Sequence, residues 1–186
     1  MKNWTLALMG SVLLCGGQLG AVAELPVIQQ VADISWKTFH SAPGKCSVAF
    51  PKEPEHVHQL LPMTEDGYDL AYDVYVSPHQ NKAVYMVLIA QYPPFVDHNY
   101  SEQSLESFLN GILSQNPNNR LIFADLTDHQ GHKALDFFIQ TKGVYFKGRA
   151  IMAKNNLYLV AMECETQNYA EVEFNYFISS FKIHTN

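Results

Sequence analysis

After Trp36 the chain alternates between apolar and polar positions with the period of a β-strand, broken at regular intervals by turn residues. Lys45 to Phe50 alternates and stops at Pro51 and Pro54. His56 to Leu61 is a short second strand, and Thr64 to Gly67 a turn. Tyr68, Leu70, Tyr72, Val74 and Val76 share one face of the next strand, with Asp69 and Asp73 on the other. Ser77 to Lys82 reads as a further turn. Ala83 to Tyr92 breaks the rule, because Tyr85, Val87 and Ile89 are matched by Val84, Met86 and Leu88 on the opposite face. A strand apolar on both faces implies a layer on each side of the sheet.

Pro93 and Pro94 end that strand. Ser101 is the expected N-cap of a helix, with Glu102 placed for the helix dipole. Leu105, Phe108, Leu109, Ile112 and Leu113 then recur at helical spacing, a single buried stripe that ends at Asn116-Pro117. Strands follow at Leu121 to Leu126, Lys133 to Thr141, Gly143 to Ala153 and Leu157 to Cys164, and a final helix from Asn168 to Phe181. In the turn "DHQG", Gly131 is the residue suited to positive φ. Short turns between strands mean antiparallel pairing. The expected fold is therefore α+β: a mainly antiparallel sheet sandwiched between helices in α/β/α layers, in the order strands, helix, strands, helix.

The first 23 residues follow a different pattern. Lys2, an apolar run from Trp4 to Leu14 and the small-x-small site Ala21-Val22-Ala23 read as a secretory signal peptide, with residues 24–35 a flexible lead-in and 36–186 one globular domain. The apolar run is shorter than the roughly 20 residues a spanning helix needs. No later segment is long and apolar enough, so the mature chain is expected to have no transmembrane segment. Cys15 raises the possibility of a lipid anchor, but a lipobox wants a small residue before its cysteine and Leu14 is large. Cys15 is expected to be discarded with the leader, leaving Glu24 as the mature N-terminus.

The net charge of the 186-residue precursor is −6, and loss of Lys2 makes the mature chain more acidic. With no run of Lys or Arg, nucleic acid is not an expected partner, and the same argument weighs against anionic lipid surfaces. Cys46 and Cys164 remain after cleavage, both in alternating apolar runs. Export makes a disulfide between them possible, and two buried free thiols are the alternative.

Three stretches carry a resemblance. "FHSAPGKCSVAFPKEPE" (Phe39 to Glu55) resembles the opening strand and proline pair of small exported bacterial domains. "GHKALDFFIQTKGVYFKGRAIMAKNNLYLVAMEC" (Gly131 to Cys164) is similar to their three-stranded meander, and "FISSFKI" (Phe177 to Ile183) to their closing helix. These domains resemble the PsbP-like fold, named for an extrinsic photosystem subunit. The resemblance implies a fold and an envelope or lumenal setting, in a superfamily dominated by binding and assembly-accessory proteins without shared catalytic residues.

Candidate chemistry is sparse. His56 and His58 stand two apart in a strand and share a face, half of a metal site to which Asp69, Asp73, His129 or His132 would add a third ligand. Otherwise they form the solvent face of a short strand. There is no G-x-S-x-G, C-x-x-C or Walker loop, so no nucleophile is indicated and no cofactor is expected. The loop "PPFVDHNYS" offers Phe95, Val96 and Tyr100 for a partner or ligand. The expected role is an exported, non-enzymatic binding or accessory protein of the bacterial envelope, with an unidentified envelope protein or small ligand as partner. A metal-dependent hydrolase built on His56 and His58, and a lipid-anchored structural protein held by Cys15, are the alternatives.

Overall fold

Strand periodicity and turn chemistry build ten strands and two helices among the described residues. The computed structural model describes residues 34–63, 67–93 and 100–184; the leader, Cys15, the lead-in as far as residue 33, and Phe95 and Val96 lie outside them. In chain order the elements are β1 (Lys37–Ser41), β2 (Cys46–Phe50), β3 (Glu55–Met63), β4 (Tyr68–His79), β5 (Ala83–Gln91), α1 (Ser101–Ser114), β6 (Arg120–His129), β7 (His132–Thr141), β8 (Val144–Ala153), β9 (Asn156–Glu165), α2 (Glu171–Ser180) and β10 (Lys182–Ile183). A 3-10 turn at Thr166–Asn168 precedes α2.

The large sheet has the order β3-β4-β5-β9-β8-β7-β6, and β1-β2-β10 form a small one. Every pairing is antiparallel. Tight hairpins set this arrangement. Gln130 and Gly131, at φ 51° and 78°, supply the two left-handed positions of the β6–β7 turn.

The two faces of the large sheet carry separate cores. On one, Tyr85, Val87, Tyr158, Val160 and Met162 pack with Val48 and Phe50 of β2 and with Phe174, Phe177 and Phe181 around α2. On the other, Phe137, Ile139, Ala150, Leu157 and Leu159 pack under Leu105 and Leu109 of α1. Each large apolar side chain buried this way contributes about 1.5–3 kcal/mol. Trp36 closes the first core with its ring centroid 4.7 Å from that of Tyr85.

The layer opposite α1 is a correction to the expected helical sandwich, because α2 shares that layer with the small sheet. Alternation tells which side chains turn inward, not which sheet a strand joins. A second difference is that Ser77 to His79 belong to β4, leaving a turn only at residues 80–82. β3 ends opposite Val76, so Pro78 lies beyond it and its missing N–H deprives β3 of no hydrogen bond. A third is that Ser101 is the first residue of α1 and Tyr100 its N-cap. A fourth is that β6 runs on to His129 and that α2 is shorter than the span from Asn168 to Phe181.

Candidate binding groove

The two-faced apolar strand, β5, is covered unequally. Tyr85, Val87 and Ile89 are 0%, 1% and 4% exposed. Val84, Met86 and Leu88, on the other face, are only half-buried. The cause is the placement of α1, which packs mainly on β6, β7 and β8. Leu105 and Leu109 are fully inserted between helix and sheet, while Phe108 and Ile112 on the flank of the same stripe remain half-buried.

Between that flank and the half-buried strip of β5 runs a groove of about 750 Å³. Met86, Leu88, Leu159 and Phe146 form its floor, and Phe108 and Ile112 its wall. Its polar end is built by Asn116, Asn119, Thr141, Lys142 and Glu163. Asn119 is fixed there: its Nδ2 donates to Ile112 O at 2.8 Å and its side-chain oxygen accepts from the Thr141 hydroxyl. An apolar trench of this size with a few oriented polar groups has the dimensions of a ligand or peptide site. Beyond it, Leu70 and Tyr72 of β4 extend the same apolar face.

Periodicity did not single out these residues as a site. The signal was present in "AVYMVLIAQY", but an apolar second face looks the same whether a helix covers it or a ligand does.

The predicted histidine pair meets one of its four suggested partners. His56 Nε2 lies 2.7 Å and His58 Nδ1 3.0 Å from the same Oδ1 of Asp73, and the His56 ring stacks on Tyr75 with centroids 4.5 Å apart. Both imidazoles are thereby occupied by one carboxylate oxygen. Among the described residues no group of three or more His, Cys, Asp or Glu side chains is placed to hold a metal ion. His129 and His132 face each other across β6 and β7, at the opposite edge of the sheet from β3.

His129 is half-buried against Phe181, and its Nε2 has no hydrogen-bond partner among the described residues. Burial, with Arg149 adding, holds its pKa below the ordinary histidine value, against smaller opposing contributions from Gln130 and the Phe181 backbone. Arg149 is bidentate to Asp136 at 2.6 and 2.8 Å. Lys147 was not anticipated: its Nζ donates to Tyr169 Oη at 2.6 Å and lies 4.6 Å from the Phe174 ring centroid and 5.2 Å from that of Phe138. This accounts for part of the aromatic excess as packing.

Cys46 and Cys164 share the α2-side core as two buried free thiols, so the structure has the alternative to the disulfide. Burial pushes Cys46 up to about 12, and burial with Glu163 adding raises Cys164. Neither has the depressed pKa of a nucleophile. Tyr100 is 61% exposed at the start of α1, next to the segment that carried Phe95 and Val96 in the expected contact loop.

The antiparallel sheet with one helix on one face, and a helix with a small sheet on the other, has a counterpart among solved structures. The chain matches the solution structure of cyanobacterial PsbP (CyanoP) from Synechocystis sp. PCC 6803 at a TM-score of 0.55, over 90% of this chain and 98% of that one, with 13% identity. The fold is PsbP-like. At that identity the PsbP-like likeness is one of architecture. A protein of unknown function from Pseudomonas aeruginosa, PA94, described as a putative regulator, matches at a TM-score of 0.40 over 60% of this chain and 85% of that one, with 14% identity. No family model matches the chain, and no curated protein matches it significantly. No helix among the described residues is long and apolar enough to cross a membrane.

Proposed function

We propose that this chain is an exported, non-enzymatic binding or accessory protein of the cell envelope, and that it binds through the groove beside α1. The observation that carries the reading is the unequal cover of β5. Met86 and Leu88 stay half-exposed on a face whose other half is packed under a helix, above a trench of about 750 Å³ with its polar groups at one end. Water in contact with such a surface is released when an apolar group enters, at roughly 25 cal/mol per Å² buried. The leader pattern in residues 1–23 supports export, and the PsbP-like architecture agrees with a binding role.

The test uses N-phenyl-1-naphthylamine, an uncharged probe that fluoresces in apolar sites. The purified protein should enhance its emission saturably. Leu88→Lys should weaken probe binding at least tenfold while leaving the thermal unfolding midpoint within a few degrees, because Leu88 lines the groove without being fully buried. Saturable enhancement that Leu88→Lys leaves unchanged, or no enhancement at all, removes the groove from the proposal.

A further inference from the structure

A second, smaller cavity of about 180 Å³ lies at the start of α2, and its lining is mostly polar side chains. Ala83 pairs with His79 on β4 and with Cys164 on β9, so the β4–β5 hairpin and the turn Thr166–Asn168 meet at this end of the sheet. Glu173, in the first turn of α2, lines the cavity, as does Lys82 of the hairpin. Tyr85 is fully buried, yet its hydroxyl donates to Glu173 Oε2 at 3.0 Å. Burial, with the Glu173 charge adding, holds the phenol above its ordinary pKa, so it stays the donor. A side chain locked in the core thus fixes the carboxylate. Its other oxygen, Oε1, has no hydrogen bond among the described residues, because His79 Nε2 stands 3.8 Å away, too far for one. Gln167 and Asn168 each give an amide N–H to Glu165 Oε2, which leaves their side-chain oxygens as acceptors in the same lining. Lys82 is exposed and has no ion pair among the described residues.

We propose that this cavity binds a small free α-amino acid, with its ammonium on Glu173 and its carboxylate on Lys82. An ammonium brings three N–H donors and no acceptor. The lining answers with Glu173 Oε1 and the side-chain oxygens of Gln167 and Asn168. Hydrogen bonds with a charged partner on each side are the strong class, and here the carboxylate is already oriented by Tyr85. A simple amine would meet Lys82 as a like charge, and a simple acid would meet Glu173 as one. Only a zwitterion satisfies both. Size limits the rest of the ligand, since about 180 Å³ is well below the roughly 300–1,000 Å³ of drug-sized sites. Ala83, Ala170 and Tyr169 complete the lining, which suits a short, uncharged side chain.

Isothermal titration calorimetry on the protein as processed by the expressing cell should show saturable binding of L-alanine. Ethylamine and propionate, which each carry half of its charge pattern, should bind weaker by about tenfold or more. Glu173→Gln keeps an acceptor for Tyr85 and should weaken alanine binding by about tenfold or more. Lys82→Met, at an exposed position, should remove the preference for alanine over ethylamine and leave the thermal unfolding midpoint in place. Failure of alanine, glycine and serine all to bind overturns the proposal. So does alanine binding that either substitution leaves unchanged, or ethylamine or propionate binding as tightly as alanine.

Discussion

The same substitution, glycine to alanine, should move stability in opposite directions at two places in this fold. Gly148 sits in the middle of β8, facing Phe137 on β7 and Ala161 on β9. A Cβ there would lie 2.8 Å from Ala161 Cβ, 2.9 Å from Val160 O and 3.0 Å from Phe137 Cζ. Two of those neighbours are a short side chain and backbone, which can yield only if strands separate. Overpacking of a core costs about 1–3 kcal/mol. Removing a glycine from the unfolded chain returns about 0.4–1 kcal/mol. The net expectation for Gly148→Ala is a loss of about 1–2 kcal/mol, or roughly 2–8 °C in melting temperature for a domain of this size. Gly111 lies inside α1 with nothing within 4 Å of the added Cβ. There the gain in helix propensity, about 1 kcal/mol, is unopposed, and the midpoint should rise by about 2–4 °C. Circular dichroism melts of the two variants side by side decide the matter. If Gly148→Ala melts with the wild type, β8 and β9 do not approach as described, and if Gly111→Ala lowers the midpoint, the helix is not free on that face.

His129, half-buried beside Arg149 with its pKa held low, should make the protein acid-sensitive. A depressed histidine pKa contributes stability that is present above the ordinary value of about 6.5 and lost as the pH falls. The urea midpoint should therefore drop from about pH 7.5 to about pH 5.5, and His129→Gln should flatten that part of the profile; equal slopes in the two proteins would reject the assignment. The buried thiols should resist a thiol reagent in the native state at neutral pH, since burial raises both pKa values. In denaturant without reductant two thiols should react per chain. None would show that Cys46 and Cys164 are bonded, and three, the full count of the sequence, that Cys15 is retained.

Much of the architecture was legible in local patterns, because strands and helices declare themselves through the spacing of their buried side chains. The helical stripe from Leu105 to Leu113 follows from a period of 3.6 residues, whereas on β4 the fully buried Tyr75 and Ser77 lie on the face that also carries Asp73, opposite the apolar set from Leu70 to Val76. The positive φ of Gly131 follows from turn chemistry. Less was legible of the site. His56 and His58 were correctly placed on one strand face, but Asp73, fifteen residues beyond His58 in the chain, became their partner only through the β3–β4 register. Phe108 and Ile112 lie on the same predicted stripe as Leu105 and Leu109, and nothing in their spacing separates the two that fill the core from the two that wall a groove.

The sequence by itself determined the α+β class, the antiparallel hairpins and the presence of a strand apolar on both faces. Each of these rests on interactions within a few residues. Tertiary structure alone decided that α1 sits mainly over β6, β7 and β8 and leaves Val84, Met86 and Leu88 of β5 half-buried. It also decided that β1, β2 and β10 leave the main sheet to share a layer with α2. Those outcomes depend on which apolar surfaces meet across the whole chain, and burial rewards area without regard to where in the sequence it comes from.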